Sequence, residues 1–207
     1  GLLGLELAAA LKHKKVKITI IQRASRLMER QLDRISSKLL AEEVQQRDIQ
    51  IYFDNEVSTV FSTNRAHELE IALKSGRTLT ANAIVYTIGT IPNIEVAKEA
   101  GLTCARGVKV NQYLQSSNPS IFAIGEIAEF NNQLFGITSA AEEQADILAN
   151  YLAGDISSHY KGSVLMNILK LEDINLCSIG EIEVPENDDS YEEIVFSDLG
   201  KRYYKKC

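Results

Sequence analysis

Two glycines at the start of the chain have the spacing of a nucleotide-binding turn. Gly1 and Gly4 lie three residues apart, and the run LELAAAL that follows is rich in strong helix formers. A dinucleotide-binding turn needs glycine where the backbone approaches a pyrophosphate at a helix N-terminus, and again where the helix packs closely on a strand. The pair matches the last two glycines of G-x-G-x-x-G, although this spacing also occurs by chance. Glu6 falls in the first turns of the predicted helix, where a negative charge is favoured, and belongs to the same candidate site.

A second candidate group follows the β-branched run VKITII at residues 16–21, which predicts a buried strand of the parallel type. In a dinucleotide fold, the residue that ends this strand lies beside the adenosine ribose. Gln22 and Arg23 stand there instead of the usual Asp or Glu. Gln22 can accept a ribose hydrogen bond. Arg23 either receives the 2′-phosphate of NADP or is a solvated surface side chain, and both interpretations stay open.

Two further segments carry an ordered set of glycine, proline and a carboxylate. VYTIGTIPN contains Gly89 and Pro92, and IFAIGEIAEF contains Gly125 and Glu126. Together they resemble the flavin-dependent pyridine nucleotide-disulfide oxidoreductase superfamily. The resemblance implies that the first segment ends an NAD(P)H-binding domain and that Gly125 and Glu126 contact the ribityl chain of FAD. Glu126 replaces the aspartate usual in that superfamily, which lengthens the side chain by a methylene.

A helix is predicted over residues 138–154, with a threonine as its cap and Gly154 at its end. In the same superfamily the N-terminus of this helix faces the pyrimidine edge of the flavin, where backbone N–H groups stabilise negative charge. The resemblance therefore assigns three residues to the flavin site: Gly136, Ile137 and Thr138. Three polar residues of the first turns are expected to be solvated as on an ordinary helix: Glu142, Glu143 and Gln144.

Two segments resemble the large, FAD-containing subunit of NAD(P)H-dependent nitrite reductases: RASRLMERQLD at 23–33 and EEIVFSDLGKRYYKK at 192–206. The resemblance implies that hydride passes from NAD(P)H to FAD and that electrons then reach an iron–sulfur cluster and sirohaem, where nitrite becomes ammonia. Both metal centres are expected outside this chain. The chain is then a fragment of an enzyme and is expected to be inactive alone. The expected protein partners are a small nitrite reductase subunit and a second copy in a homodimer.

Two alternatives remain beside the nitrite reductase interpretation. Reductases of rubredoxin, ferredoxin or small disulfides share the pattern up to about residue 154. A disulfide reductase carries a His-Pro pair in its final domain, and no His-Pro occurs in this sequence. A non-catalytic, partner-binding relic of the fold is the third interpretation, since Glu126 replaces aspartate and the ribose-binding acid is missing.

No side chain is nominated as a catalytic acid, base or nucleophile, because the three histidines stand in unrelated settings: His13, His67 and His159. Three cysteines lie far apart without a C-x-x-C pair, so no metal site is expected from them: Cys104, Cys177 and Cys207. Reduced thiols of this kind are typical of a cytoplasmic protein.

The elements that must position these residues follow the order of a doubly wound α/β fold. Apolar residues keep helical spacing from Gln31 to about Gln46, and an alternating strand follows at 49–53. An antiparallel group of strands is expected next, and then short buried strands at 83–89 and 121–125. We therefore expect Rossmann-like NAD(P)H-binding and FAD-binding portions, both incomplete, and then a small β-rich portion. The expected domains are residues 1–89, 90–154 and 155–207.

Composition narrows the class of partner. The 207 residues carry a net charge of -6 and no long basic run, which argues against nucleic-acid binding. No apolar stretch approaches the roughly 20 residues of a membrane span, and the N-terminus has no signal-peptide pattern. The hydrophobic fraction of 45% is that of an ordinary globular protein. Small-molecule cofactors are the partners that the motifs favour.

Overall fold

The computed structural model describes residues 1–12, 14, 16–171, 174–182 and 190–207, so His13 lies outside the described part. The chain separates into two compact units, residues 1–88 with 167–207 and residues 89–166. The division into three domains expected from the sequence stays a prediction. Across the described ranges, no helix has the length and apolar character needed to cross a membrane.

A strand–helix–strand crossover lies at the centre of the first unit. Helix α1 (Leu2–Lys12) is followed by strand β1 (Ile18–Ile21), helix α2 (Arg34–Gln46) and strand β2 (Ile49–Tyr52). The two strands are parallel, with Ile18 opposite Ile49. Parallel neighbours need a long crossover of this kind, which the helix provides. The predicted α/β rhythm is confirmed. Strand β1 is only half-buried rather than fully buried, because β2 is its one paired neighbour among the described strands.

Helix α2 begins at Arg34 and not at Gln31, because Asp33 caps it. The Asp33 carboxylate accepts a hydrogen bond from the backbone N–H of Ser36 at 2.8 Å. The residues before it form turns instead of helix.

An antiparallel sheet of three strands follows the crossover, as the sequence predicted. Its strands are β3 (Val57–Ser62), β4 (Leu69–Leu73) and β5 (Thr78–Ala81), with β4 in the middle. The turn between β4 and β5 contains Gly76 at φ +82°, a left-handed conformation that favours glycine.

The second unit combines one long helix with a small mixed sheet. Helix α3 (Glu95–Glu99) precedes strands β6 (Val108–Lys109), β7 (Ala128–Phe130) and β8 (Gln133–Leu134), and helix α4 (Thr138–Leu152) comes last. Strand β7 pairs with β6 in parallel and with β8 in antiparallel fashion. The core of this unit is formed by fully or nearly buried residues of these elements and of the loops that connect or follow them: Leu114, Phe130, Phe135, Ala140 and Tyr160.

The C-terminal part of the first unit is β-rich, as predicted. Strands β9 (Met166–Leu171) and β10 (Ile174–Ile179) pair with each other, and β11 (Val195–Asp198) pairs with β12 (Tyr203–Lys206) in antiparallel fashion. Leu169 and Leu171 of β9 belong to the same buried cluster as Leu5 of α1 and Leu40 of α2. Strand β9 therefore completes the core of the strand–helix–strand crossover.

The β11–β12 pair is attached to helix α2 through polar side chains. The Tyr204 hydroxyl donates a hydrogen bond to the Asp33 carboxylate, and Arg202 pairs with Glu43 further along the helix. Partial burial acts to raise the pKa of Asp33, but hydrogen bonds from Ser36 and Tyr204 outweigh it and hold that pKa below its ordinary value. Burial and the same hydrogen bond raise the pKa of Tyr204.

Two of the buried strands predicted from apolar composition do not form. Residues 83–89 pair with none of the described strands, and Val85, Tyr86 and Ile88 are 60%, 63% and 90% exposed. Apolar residues favour burial, yet a strand also requires a neighbour that completes its hydrogen bonds. Residues 121–125 form a single bridge, between Phe122 and Gln115, and are mostly half-buried.

Candidate cofactor sites

The glycine turn at the start of α1 allows a close approach between this helix and the 83–89 segment. A Cβ atom on Gly4 would lie 2.6 Å from Oγ1 of Thr87, nearer than side-chain carbons come to such atoms. The space around Gly1 is open, with no atom within 4 Å of the position of a Cβ. Glu6 is half-buried in the second turn of the helix. Gly4 therefore allows close packing and Gly1 leaves its backbone accessible, as a dinucleotide turn requires.

At the end of β1, the Gln22 side chain supports the loop that follows it. The Gln22 amide nitrogen donates to the carbonyl of Arg26 at 3.2 Å, and its backbone N–H donates to Tyr52 O at 2.8 Å. The loop continues into a buried segment in which Leu27 and Met28 are 1% and 3% exposed. The Ser37 hydroxyl, also buried, donates to Leu27 O at 2.7 Å. Packing against α2 therefore explains the apolar residues in the RLMERQLD run.

Arg23 lies in a group of three charges that sequence reasoning missed. Its Nε stands 3.8 Å from a carboxylate oxygen of Glu56, and Lys74 pairs with the other oxygen. The hydrogen bond from Lys74 and the charge of Arg23 lower the pKa of Glu56, so this carboxylate is ionised at neutral pH. Arg23 remains 77% exposed at its side chain. Glu56 comes just before β3 and Lys74 just after β4, so no local pattern links either residue to Arg23.

In the second unit, Glu126 brings two of the sequence motifs together. Thr90, from the segment TIGTIPN, donates its hydroxyl proton to Oε1 of Glu126. A Cβ on Gly136 would lie 3.3 Å from the same oxygen, so any side chain there would displace the carboxylate slightly. Gly125 takes φ +78° in the turn before Glu126, and Gly89 takes φ +101° before Thr90. Pro92 is half-buried beyond this turn.

Gln144 is buried and not solvated, which corrects the expectation for this part of the helix. It is fully buried, and its Oε1 accepts a hydrogen bond from the backbone N–H of Gly125 at 2.6 Å. Its Nε2 is also buried and has no hydrogen-bond partner among the described residues. Glu143 is exposed as expected, although its carboxylate accepts a hydrogen bond from the Ser163 hydroxyl at 2.6 Å.

The N-terminus of α4 is open. Its N-cap residue is Ile137 and not Thr138, which is the first helical residue, and no described side chain caps the helix. A residue in an extended conformation with an aliphatic side chain leaves the first backbone N–H groups without a side-chain acceptor. Gly136 and Thr138 beside it are exposed. These N–H groups and the helix dipole favour an electron-rich ligand atom.

The described histidines and cysteines form no reactive group. His159 Nδ1 lies 2.9 Å from the carbonyl of Ser157, and His67 is exposed in a turn with φ +58°. The cysteines are free thiols. Over the described ranges, no three His, Cys, Asp or Glu side chains are grouped so that they could hold a metal ion.

The sequence profile of the family described as pyridine nucleotide-disulphide oxidoreductase matches residues 1–145. The chain belongs to this family. Residues 166–207 match a second profile, that of the rubredoxin NAD+ reductase C-terminal domain. The resemblance found in the sequence and the predicted α/β fold are thereby confirmed.

Individual relatives agree with this assignment. The chain is 34% identical over its full length to the assimilatory nitrate reductase electron transfer subunit of Bacillus subtilis. It is 33% identical over 90% of its length to the NAD(P)H nitrite reductase of the same organism. It spans about a quarter of these proteins, 26% and 23%. The crystal structure of a ferredoxin reductase from Rhodopseudomonas palustris has the same fold, with a TM-score of 0.86 and 24% identity over the whole chain and 50% of that structure.

The family is one of NAD(P)H-dependent FAD oxidoreductases, and the residues around Glu126 fit a flavin nucleotide. The first backbone N–H groups of α4 are hydrogen-bond donors without a side-chain acceptor among the described residues. FAD carries many acceptor oxygens, so its chemistry matches this donor set. Glu126 supplies the complementary acceptor for a hydroxyl group.

Proposed function

We propose that this chain is the part of a longer flavoprotein in which hydride from NAD(P)H reaches FAD, with the electrons passing onward to reduce nitrite to ammonia. The meeting of Thr90, Glu126 and Gly136 supports the flavin part of this proposal most strongly. The Thr90 hydroxyl, from a segment 36 residues away in sequence, and the backbone at Gly136 both lie against the Glu126 carboxylate there. The likeness to a protein named NAD(P)H nitrite reductase supports the acceptor.

Each candidate residue has a definite task in this proposal. The turn at Gly1 and Gly4 receives the pyrophosphate of the nicotinamide nucleotide at the start of α1, with Glu6 in the same helix. Gln22 accepts a hydrogen bond from the adenosine ribose. Gly89 and Pro92 hold the turn that presents Thr90.

For the flavin, Gly125 and Glu126 bind the ribityl chain. The open start of α4, formed by Gly136, Ile137 and Thr138, donates backbone N–H groups to the pyrimidine edge. Bound FAD supplies the chemistry of accepting a hydride and releasing single electrons. The residues of this chain orient the cofactor and leave no side chain that must act as an acid or base.

We propose that both NADH and NADPH are accepted. Arg23 is exposed and can form a forked, charge-assisted contact with a 2′-phosphate. Glu56 competes for the same guanidinium, so a bound 2′-phosphate gains less from Arg23 than it would from an unpaired arginine. Neutral Gln22 neither repels a phosphate nor excludes a ribose.

The remaining partners follow from the nitrite reductase resemblance. An iron–sulfur cluster and sirohaem are placed outside this chain, and a small nitrite reductase subunit and a second copy of the protein are the proposed protein partners. The proposed location is cytoplasmic, where NAD(P)H is available.

A second candidate function has its own support. Residues 166–207 match the C-terminal domain of rubredoxin NAD+ reductase, so an electron-carrier protein is the alternative acceptor. The name of the Bacillus subtilis nitrate reductase subunit adds nitrate reduction as a further acceptor to test.

The experiment uses the longer protein that contains this chain, purified with flavin and reduced anaerobically by a measured amount of NADH. Nitrite, nitrate or oxidised rubredoxin is then added, and the return of the flavin absorption band is followed. We expect nitrite to restore the band and to yield ammonia. Restoration by rubredoxin with no response to nitrite would overturn the nitrite proposal in favour of the alternative.

A further inference from the structure

The buried amide of Gln144 lies against the turn that carries Glu126. Gln144 belongs to the second turn of α4 and is fully buried, and its oxygen accepts the Gly125 N–H at 2.6 Å. Gly125 itself takes φ +78° and packs against Ala141 of the same helix, since a Cβ there would lie 3.9 Å from the Ala141 Cβ. One side chain thus ties the helix to the turn that presents Glu126.

The orientation of this amide is determined by its partner. A backbone N–H can only donate, so the atom of Gln144 that faces Gly125 must be the oxygen. The nitrogen then points elsewhere with two donor protons, and it meets no acceptor among the described residues. Leaving a buried donor unsatisfied is costly, so buried polar groups nearly always have a partner. This nitrogen is enclosed by the chain itself, so the oxygen is the end of the amide that acts on the turn.

We infer that Gln144 is a positioning residue of the flavin site: its oxygen fixes the backbone of Gly125 and, through it, the carboxylate of Glu126. The inference rests on the proposed function, since it needs a flavin beside Glu126. The backbone of Gly125 leads directly into Glu126, so fixing Gly125 limits the positions that the Glu126 carboxylate can take. Gln144 contributes to flavin binding through the turn that its oxygen holds.

The test compares Gln144→Met with Glu142→Met in the longer flavin-containing protein. Methionine keeps the length of glutamine but neither accepts from Gly125 nor donates, while Glu142 is exposed on the same helix and receives the same new side chain. We expect the Gly125 amide to exchange its hydrogen roughly tenfold faster in flavin-free Gln144→Met, and flavin to dissociate roughly tenfold more readily, as the loss of a buried hydrogen bond of ordinary strength implies. Glu142→Met should change neither quantity.

The two measurements separate positioning from general stability. Unchanged Gly125 exchange in flavin-free Gln144→Met, or flavin that dissociates as slowly from Gln144→Met as from the wild type, would overturn the inference. A wild-type protein that binds no flavin would overturn the proposed function instead. The two failures can be told apart, because Gly125 exchange can be measured without flavin.

Discussion

Replacing Gly4 by alanine tests whether α1 must approach the 83–89 segment as closely as the structure shows. The added Cβ would come within 2.6 Å of Thr87 Oγ1 and 3.5 Å of Thr87 Cβ. Thr87 is β-branched, so its hydroxyl can leave only by a change of rotamer or a shift of the backbone. The substitution therefore forces either the helix or the segment to move.

Two opposing terms set the size of the effect. Alanine in place of glycine inside a helix stabilises the folded state by about 1 kcal/mol. Overpacking of a filled space costs about 1–3 kcal/mol. We therefore expect Gly4→Ala to lower the free energy of unfolding by about 0–2 kcal/mol. In a Thr87→Ala background the hydroxyl is gone, and the same change should raise that free energy by up to about 1 kcal/mol.

The assay is a double-mutant cycle on the 207-residue chain, with denaturant unfolding followed by circular dichroism. The coupling between the two positions should be about 1–3 kcal/mol, the size of the overpacking that Thr87→Ala relieves. If the two changes add to within about 0.5 kcal/mol, there is no close contact between Gly4 and Thr87, and the packing role of this glycine is wrong.

Three further outcomes are expected. Tyr204→Phe should lower the free energy of unfolding by about 1 kcal/mol. The ordinary pKa values of Asp33 and Tyr204 are about 3.8 and 10.0, and folding lowers the first and raises the second. The contribution of this hydrogen bond should therefore be lost as pH falls below about 3.8 and as pH rises above about 10.0. A phenylalanine variant with the same alkaline loss would contradict this. In the longer protein, Glu126→Ala should reduce flavin occupancy more than Glu126→Asp, since only alanine removes the carboxylate, and equal occupancy would mean that Glu126 does not touch the cofactor. Arg23→Ala should raise the Michaelis constant for NADPH severalfold and hardly change that for NADH, whereas constants that move together would make Arg23 an ordinary surface residue.

The parts of the fold that were predicted correctly depend on local patterns. The apolar spacing of α2 and the alternation in β2 are each encoded within a few neighbouring residues. The start of α2 was placed too early because Leu32 has the right spacing for the helix but packs from the preceding loop. The cap at Asp33 was the local signal that marks the true start.

The features that sequence reasoning missed depend on contacts between distant segments. Residues 83–89 have the composition of a buried strand, but strand formation depends on a neighbour that no local pattern reveals. Gln144 stands among glutamates in a helix that looks solvated, and only the position of Gly125 shows that its amide is buried. Glu56 and Arg23 are likewise brought together by the antiparallel sheet.

The central claim is that NAD(P)H delivers hydride to a flavin that this chain helps to hold. The most direct measurement is the absorption of the longer protein, purified with flavin, when NADH or NADPH is added without oxygen. We expect the flavin band to bleach with one equivalent of either nucleotide and to return when an electron acceptor is added. A flavin-loaded protein whose band is unchanged by both nucleotides would contradict the claim.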